Sequence, residues 1–480
     1  DDRNEWQEAV SLQEIQQAYF KNIKHAFGQP YEMMIKAGSN PYQFAGWFTS
    51  DPARVKEALQ IVDDFVPSVL EFWEKISEPT WIHLEDSIDS KAVFSGELFP
   101  DANSNVTSST GIYFDTTILP DPFVKISPLL QLMDEETRSY EILRLGLQVL
   151  LYKDLALAET EKAIVAILPD RHQLESTYRD FVYGSAEQDT LIHAGSLFER
   201  QFEEVEELME FLHHFDDTAS LVSALVNPNE LVFATEWEGG LANHIDRYIE
   251  EEGKKLNISN PGDAVFINIF SRFSQSNDSF QRSISLKGTP IIRAPTSWLW
   301  FNWMLRNNSK TSETIKSEHL HIARALESTV GTEMSWLGDI PPDALIEIRQ
   351  TGALNEIREM LGGDLSDLIK ANPDNFFRTG DQVFDNVQHA LAEHEAKIKT
   401  LRSKKWTFAG KDVGSFLVVG GIELTAAITG LPLYGSVAAS AGMSGVIPTA
   451  KDLKEKLAQI RKDQSDIKNT GVGILFSHKP

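Results

Sequence analysis

The run Gly111-Ile112-Tyr113-Phe114-Asp115-Thr116-Thr117-Ile118-Leu119, closed by Pro120, is short, apolar and rich in β-branched and aromatic residues, which predicts a buried strand. Ala163 to Leu168 (AIVAIL) is a second strand of this kind, and Leu231 to Thr235 a third. Most of the chain outside these runs carries helical periodicity. A few short strands among many helices predict a mainly α, multi-helical fold with a minor β element in the first half.

Working outward, Glu5 to Phe27 reads as a helix, followed by a Gly/Pro/Asn-rich break around Gly38 to Tyr42. Asp51-Pro52 then opens a second helix with an N-cap acid and a proline in the first helical position. Residues 81–110 read as turn-rich, ending in a polar surface loop from Asn103 to Thr110. Helical pattern resumes from Asp134 to Leu157, and again, with many acids, over Arg171–Phe215 and Leu241–Leu256. Thr296 to Leu305 is the most apolar helix before the C-terminal region, and only helices are expected from Pro341 onward. No internal repeat is apparent. Four regions follow: a helical 1–110, an α/β-containing 111–260, a helical 261–340 with a Trp-rich helix, and a C-terminal stem with an apolar hairpin over 341–480.

The 480 residues suffice for a large core and for several domains. Forty-four basic against 71 acidic residues leave a net charge of −27, which repels phosphate backbones and disfavours broad nucleic-acid binding. The absence of cysteine excludes thiol catalysis, disulfides and cysteine-ligated zinc. The first residue is Asp1 and no signal peptide is visible, although a cleaved one would leave no trace. Sequons at Asn105, Asn257, Asn277 and Asn307 occur about as often as chance predicts.

Phosphate-loop, nucleophile-elbow and HExxH motifs are missing, and Gly471-Val472-Gly473 lacks the strand–helix context of a dinucleotide loop. Two Glu-x-x-His pairs, Glu210/His213 and Glu318/His321, place carboxylate and imidazole on one helix face, as in di-metal bundles. The stripe Phe202, Val205, Leu208, Met209, Leu212 and Phe215 turns Glu210 toward solvent, against a bundle-core ligand. His213, His214, Asp216 and Asp217 form a compact cluster of a kind able to bind metal or shuttle protons; more often such histidines complement the negative end of a helix, with Asp216 opening the next. Trp298, Trp300 and Trp303 fall within six residues, dense enough for an interface hot spot, although a core helix needs the same residues.

An apolar run that delivers an Asp and a Thr, Asp115-Thr116, resembles the opening of PIN-type metal-dependent ribonucleases, over nine residues and with Thr117 where that family has Asn. The resemblance implies a catalytic Asp115 holding a divalent metal together with acids such as Glu141, Asp154 or Asp170. Apart from it, no cofactor is expected and the metal content is open. The plainer alternative is an Asp at a strand end, with Asp121-Pro122 forming a turn.

The C-terminal region is the most distinctive. Val387, Leu391, His394, Ile398 and Leu401 form a heptad seam, and Leu453, Leu457, Ile460, Gln464 and Ile467 repeat its rhythm. Between them Val413 to Pro448 runs 36 residues with one charge, Glu423, and with Gly430-Leu431-Pro432 as a central turn. Two antiparallel amphipathic helices carrying an apolar Gly/Ala-rich hairpin are the simplest construction. From Leu391 on there are 13 basic and 8 acidic residues, while the first 390 residues carry −32. Lys404, Lys405 and Trp406 flank one end of the hairpin, and Phe416, Leu417 and Val418 lie inside it, an arrangement suited to an anionic membrane face. Half-hairpins of about 15–18 residues fall short of the roughly 20 needed to span, and Glu423 would cost about 2.5–3.5 kcal/mol to insert. Burial of the hairpin in a bundle is the plainest reading, with membrane contact and an oligomerisation surface as the alternatives.

The reading that follows is a non-enzymatic interaction protein working through its C-terminal stem, with a protein partner or another copy of itself. A variant is an effector whose hairpin touches a membrane, and the expected setting is cytoplasmic, peripheral to that membrane. The alternative is a metal-dependent hydrolase centred on Asp115.

Overall fold

The computed structural model describes residues 10–311 apart from 104, 113, 257 and 259, together with 340–361 and 407–412. The chain forms two compact units. The first comprises the residues through Asp170, Arg282–Ile291 and the described residues from Ile340 on; the second comprises Arg171–Gln281 and the stretch from Ile292 through 311.

The first unit begins with α1 (Leu12–Ala37), α2 (Pro41–Thr49) and α3 (Pro52–Asp86). Local chemistry sets each start. Ser11 and Glu14 close a reciprocal capping box, as do Asn40 and Gln43, and Asp51 caps the amide of Ala53 ahead of Pro52. Gly38, at φ 63°, ends α1 in the left-handed region that glycine adopts without penalty. The helix therefore runs ten residues past the expected Phe27, while the expected start at Glu5 lies outside the described residues.

Next come β1 (Lys91–Ser95), α4 (Val106–Thr110), β2 (Thr116–Pro120), α5 (Pro122–Ile126) with a 3-10 turn over Ser127–Leu132, α6 (Glu135–Leu150), α7 (Lys153–Ala156) and β3 (Val165–Leu168). With β4 (Thr289–Ile292) these strands make a four-stranded sheet in the order β3-β2-β1-β4, in which β1 and β2, and β2 and β3, run parallel. Parallel strands need covered faces and so read as apolar runs. Val93, Ile118, Ala166 and Leu168 of the sheet pack with Trp81 and Leu84 of α3 and with Leu286.

Two strands lay outside the sequence expectation. The 81–110 stretch is not a turn-rich surface: α3 continues to Asp86, β1 is buried along its length, and Val106–Thr110 is a buried helical turn capped by Asn105. Lys91 disguised β1; its Nζ donates to the Ser87 carbonyl at 2.6 Å, which allows the side chain to be buried. Pro290 disguised β4, which lies at the sheet edge, where a strand tolerates proline. Conversely, Leu231–Thr235 is no strand. Its backbone carbonyls accept side-chain donors instead: Val232 from Asn268 and Trp300, both at 3.1 Å, and Phe233 from Arg272 at 2.6 Å.

At the opposite edge, a side chain pairs with the backbone of β3. Gln16 of α1 donates to the Ile167 carbonyl at 3.0 Å and accepts from its amide at 2.9 Å, taking the place of a fifth strand. Phe27 of α1 meets Phe65 of α3 and Phe123 of α5, over Gly146 of α6.

The second unit contains α8 (Arg171–Leu174), α9 (Ser176–Phe198), α10 (Val205–Leu212), α11 (Thr218–Ala224), α12 (Leu241–Leu256), α13 (Pro261–Ser285) and α14 (Pro295–Thr311), the last two entering from or leading to the first unit's segments. Asp217, not Asp216, caps α11, accepting from the Ser220 amide. Beyond Ile340 lie α15 (Pro342–Gln350), α16 (Ala353–Leu361) and an antiparallel hairpin of β5 (Thr407–Phe408) and β6 (Lys411–Asp412). The hairpin corrects the expectation of helices alone after Pro341. Its turn, Ala409-Gly410, has both φ angles positive, at 49° and 73°, as a type I′ turn requires. Among the described residues no helix is long and apolar enough to cross a membrane.

Candidate functional site

Asp115 precedes β2 and sits at the amino end of the strand, after the turn that closes α4. Its amide donates to the Ser90 carbonyl at 2.9 Å, and its Oδ2 accepts from the Ser90 amide at 3.1 Å. Three cations converge on the carboxylate: Lys162 Nζ at 2.8 Å, Arg358 Nη1 at 2.7 Å and Arg349 Nη1 at 3.8 Å. Asp89 shares Lys162 at 3.2 Å. Burial opposes the charge on Asp115, but the hydrogen bonds from Lys162 and Arg358 outweigh it and hold the carboxyl well below the usual carboxylate range.

The two arginines belong to α15 and α16, and they also bind backbone. Arg349 Nη2 donates to the carbonyls of Gly111 at 2.9 Å and Phe114 at 2.6 Å; Arg358 Nε donates to Ile112 at 2.9 Å. Burial, aided by the neighbouring Arg358, pulls the Arg349 guanidinium down to about 10. Leu345 packs so closely on Gly111 that a β-carbon there would approach it to 2.5 Å. The result is an anchor that fastens α15 and α16 to the amino end of the sheet. On α15, Asp343 then pairs with Lys411 at 3.0 Å, and Glu347 accepts from the Ala409 amide, so the hairpin is held by the same helix.

The carboxylate of Asp115 is thus part of an ion-pair network at the amino end of the strand. The strand does not deliver the acid at its end but starts after it, and ligands of parallel sheets bind outside the opposite, carboxyl ends. The partner acids are engaged elsewhere: Glu141 with Arg144, Asp154 with Lys153 and Asp170 with Lys125. Among the described residues no three His or acidic side chains are grouped so as to hold a metal ion.

The carboxyl ends of β2 and β3 are closed by a repeated tetrapeptide. Ile118-Leu119-Pro120-Asp121 and Ile167-Leu168-Pro169-Asp170 are the same tetrapeptide on adjacent strands, a repeat too short to stand out without the pairing. Asp121 starts no simple turn: it caps α5 through the Val124 amide at 2.7 Å and accepts from Trp73 Nε1 at 2.9 Å. Burial pushes its carboxyl up, against those hydrogen bonds. Asp170 meets Lys125 at 3.6 Å, both side chains 2% exposed.

In the second unit, Trp300 and Trp303 are buried. Both rings pack on His193, and Trp300 Nε1 is spent on the Val232 carbonyl. Trp298 is half-buried and stacks on Phe301. His213 binds Asp263 at 2.8 Å, and His214 its own helix's Glu210 carbonyl, so neither joins Glu210 in a di-metal face. A polar pair sequence reasoning did not single out lies deeper: Asp189 accepts from Asn277 at 2.8 Å, and burial pushes its carboxyl up to about 7. The seam residues Val387, Leu391, His394, Ile398 and Leu401, the flanking Lys404, Lys405 and Trp406, the apolar Phe416, Leu417 and Val418, and the pair Glu318/His321 lie outside the described residues.

No protein-family model, curated protein or solved structure matches the chain.

Proposed function

We propose that the protein is a helical interaction protein in which the first unit serves as a mount for the region that follows Leu361, with a protein partner or a second copy as the thing bound. The observation that supports this is the Asp115 anchor. Three cations from distant parts of the chain are spent on one carboxylate, and two of them fasten α15 and α16, the helices that lead into the heptad seam and hold the hairpin before the apolar segment. A hydrolase needs its acid open to metal and substrate; this one is committed to an ion-pair network, so the hydrolase alternative centred on Asp115 is the weaker reading.

The reading is tested by light-scattering mass and liposome flotation of the full chain beside a chain lacking residues 413–448. Self-association or flotation of the full chain alone supports action through the C-terminal region, and flotation identifies the membrane variant. If both proteins are monomeric and neither floats, self-association and lipid contact are removed. The proposal then fails unless a purified partner binds the full chain and not the deletion.

A further inference from the structure

Three helices of the second unit meet on one carboxyl group. Asp189 of α9 is 2% exposed. Asn277 of α13 donates to it through Nδ2 at 2.8 Å, and from α14 the Asn307 side chain hydrogen-bonds to it as well. Among the described residues no cation pairs with Asp189. A carboxylate taken out of water needs a counter-charge, and two carboxamides supply none, so burial here favours the protonated acid.

The other titratable and charged groups on these helices are engaged elsewhere. One turn along α9, His193 packs against Phe273 of α13 and against Trp300 and Trp303 of α14, and its Nε2 lies 2.7 Å from the Glu230 carbonyl. The Glu230 carboxylate takes Arg306 of α14 at 3.0 Å and the Ser196 hydroxyl at 2.7 Å. Asp278, next to Asn277, accepts from the Tyr178 hydroxyl at 3.1 Å. Glu187, also buried, stands two positions before Asp189 and so on the far side of α9.

We propose that Asp189 is a proton-operated latch: protonated, it holds the end of α14 to α9 and α13; ionised, it lets that end go. Position within the helices decides which contact yields. Asn277 stands inside α13, which runs on to Ser285, whereas Asn307 stands in the last turns of α14, which ends at Thr311. Helix ends open at far lower cost than helix interiors, so water reaches an ionised Asp189 by way of α14. The folded carboxyl titrates near 7, which places the latch in the neutral range. The closed state binds the proton more tightly than the opened one, so opening is favoured as pH rises through that value. The latch lies within the second unit and is independent of the function proposed for the region beyond Leu361.

The test is hydrogen exchange of the full chain, corrected for the intrinsic exchange rate, in residues 300–311, 261–277 and 52–86. Protection of 300–311 is expected to be constant up to about pH 7 and then to fall about tenfold per pH unit, while the other two stretches keep theirs. Asp189→Asn, which keeps the shape beside Asn277, is expected to remove the fall. His193→Gln is expected to keep it, because the imidazole is not the switch. The proposal is overturned if 300–311 is equally protected on both sides of neutrality, or if all three stretches lose protection together. It is also overturned if Asp189→Asn retains the fall or His193→Gln abolishes it. The profile of the parent chain decides the first two outcomes by itself, whether or not a variant folds.

Discussion

The carboxylate of Asp115 and the guanidinium of Arg358 lie 243 positions apart in sequence and 2.7 Å apart in space. Lys162 reaches the same carboxylate across 47 positions. Replacing Asp115 by Asn keeps the shape and leaves the cations without their counter-charge. Removing one partner of a buried pair costs about 3–5 kcal/mol; partial exposure of Lys162 and Arg358 brings the expectation to roughly 2–3 kcal/mol. Hydrogen exchange should quicken over 342–361 and stay unchanged in α9 and α14. Uniform protection in both regions would remove the anchor.

The same anchor has a defined pH window. Because the folded Asp115 carboxyl lies below its unfolded value near 3.8, the folded state binds fewer protons and gains stability as pH rises through the acid range. The contribution is complete above about pH 4 and is lost only as pH falls below that. Protection of α15 and α16 should therefore be flat between pH 5 and 8 and decline in stronger acid, a slope that Asp115→Asn abolishes.

Asp189 behaves oppositely. Its folded carboxyl titrates near 7 while the unfolded one titrates near 3.8, so the folded state holds the extra proton between these values and stability falls as pH rises from about 4 to 7. About three pH units correspond to on the order of 3–4 kcal/mol at pH 8. Asp189→Asn, which keeps the shape beside Asn277, should match the parent at pH 4 and exceed it at pH 8 in urea unfolding. An equal difference at both pH values would show that ionisation is not the cause.

Gln16 offers a test of the sheet edge. Substitution by Leu leaves the Ile167 amide and carbonyl buried and unpaired, at about 1–3 kcal/mol each. A loss of roughly 2–4 kcal/mol is expected, with greater aggregation in light scattering because β3 becomes an open edge. A variant as stable and as soluble as the parent would mean that the edge needs no cover.

Gly146→Ala probes the α1–α6 contact. A β-carbon would come within 2.5 Å of the Phe27 ring, which is held by Phe65 and Phe123 and has no room to retreat. Overpacking of this kind costs typically about 1–3 kcal/mol, so thermal unfolding should fall by several degrees. The paired change with Phe27→Leu should recover part of the loss.

Much of the helical frame was legible because its signals are local. The Asp51-Pro52 start acts within four residues, and the β3 run is apolar end to end because both sheet faces are covered. The capping boxes at Ser11 and Asn40 are as local but were not read: the first helix is expected from Glu5, and Asn40 falls in a break. Where local and long-range chemistry disagreed, the local reading failed. Lys91 hid β1 because a lysine is buried only where its ammonium finds a carbonyl, and that partner depends on the loop before the strand. Leu231–Thr235 read as a strand because the run is apolar, yet side chains from α13 and α14 supply its hydrogen bonds.

Asp115 carries the same lesson for function. The sequence alone determined that the chain is acidic, without cysteine chemistry, mainly helical and built with a few buried strands, since composition and periodicity report each residue's demand for water or burial. It also marked Asp115 as an acid beside an apolar strand. Only the tertiary structure decided which charges that acid meets. The work of a carboxylate depends on which charges stand within a few ångströms of it. Here those charges arrive on Lys162, Arg349 and Arg358, brought together by the closure of long stretches of chain that no local pattern encodes.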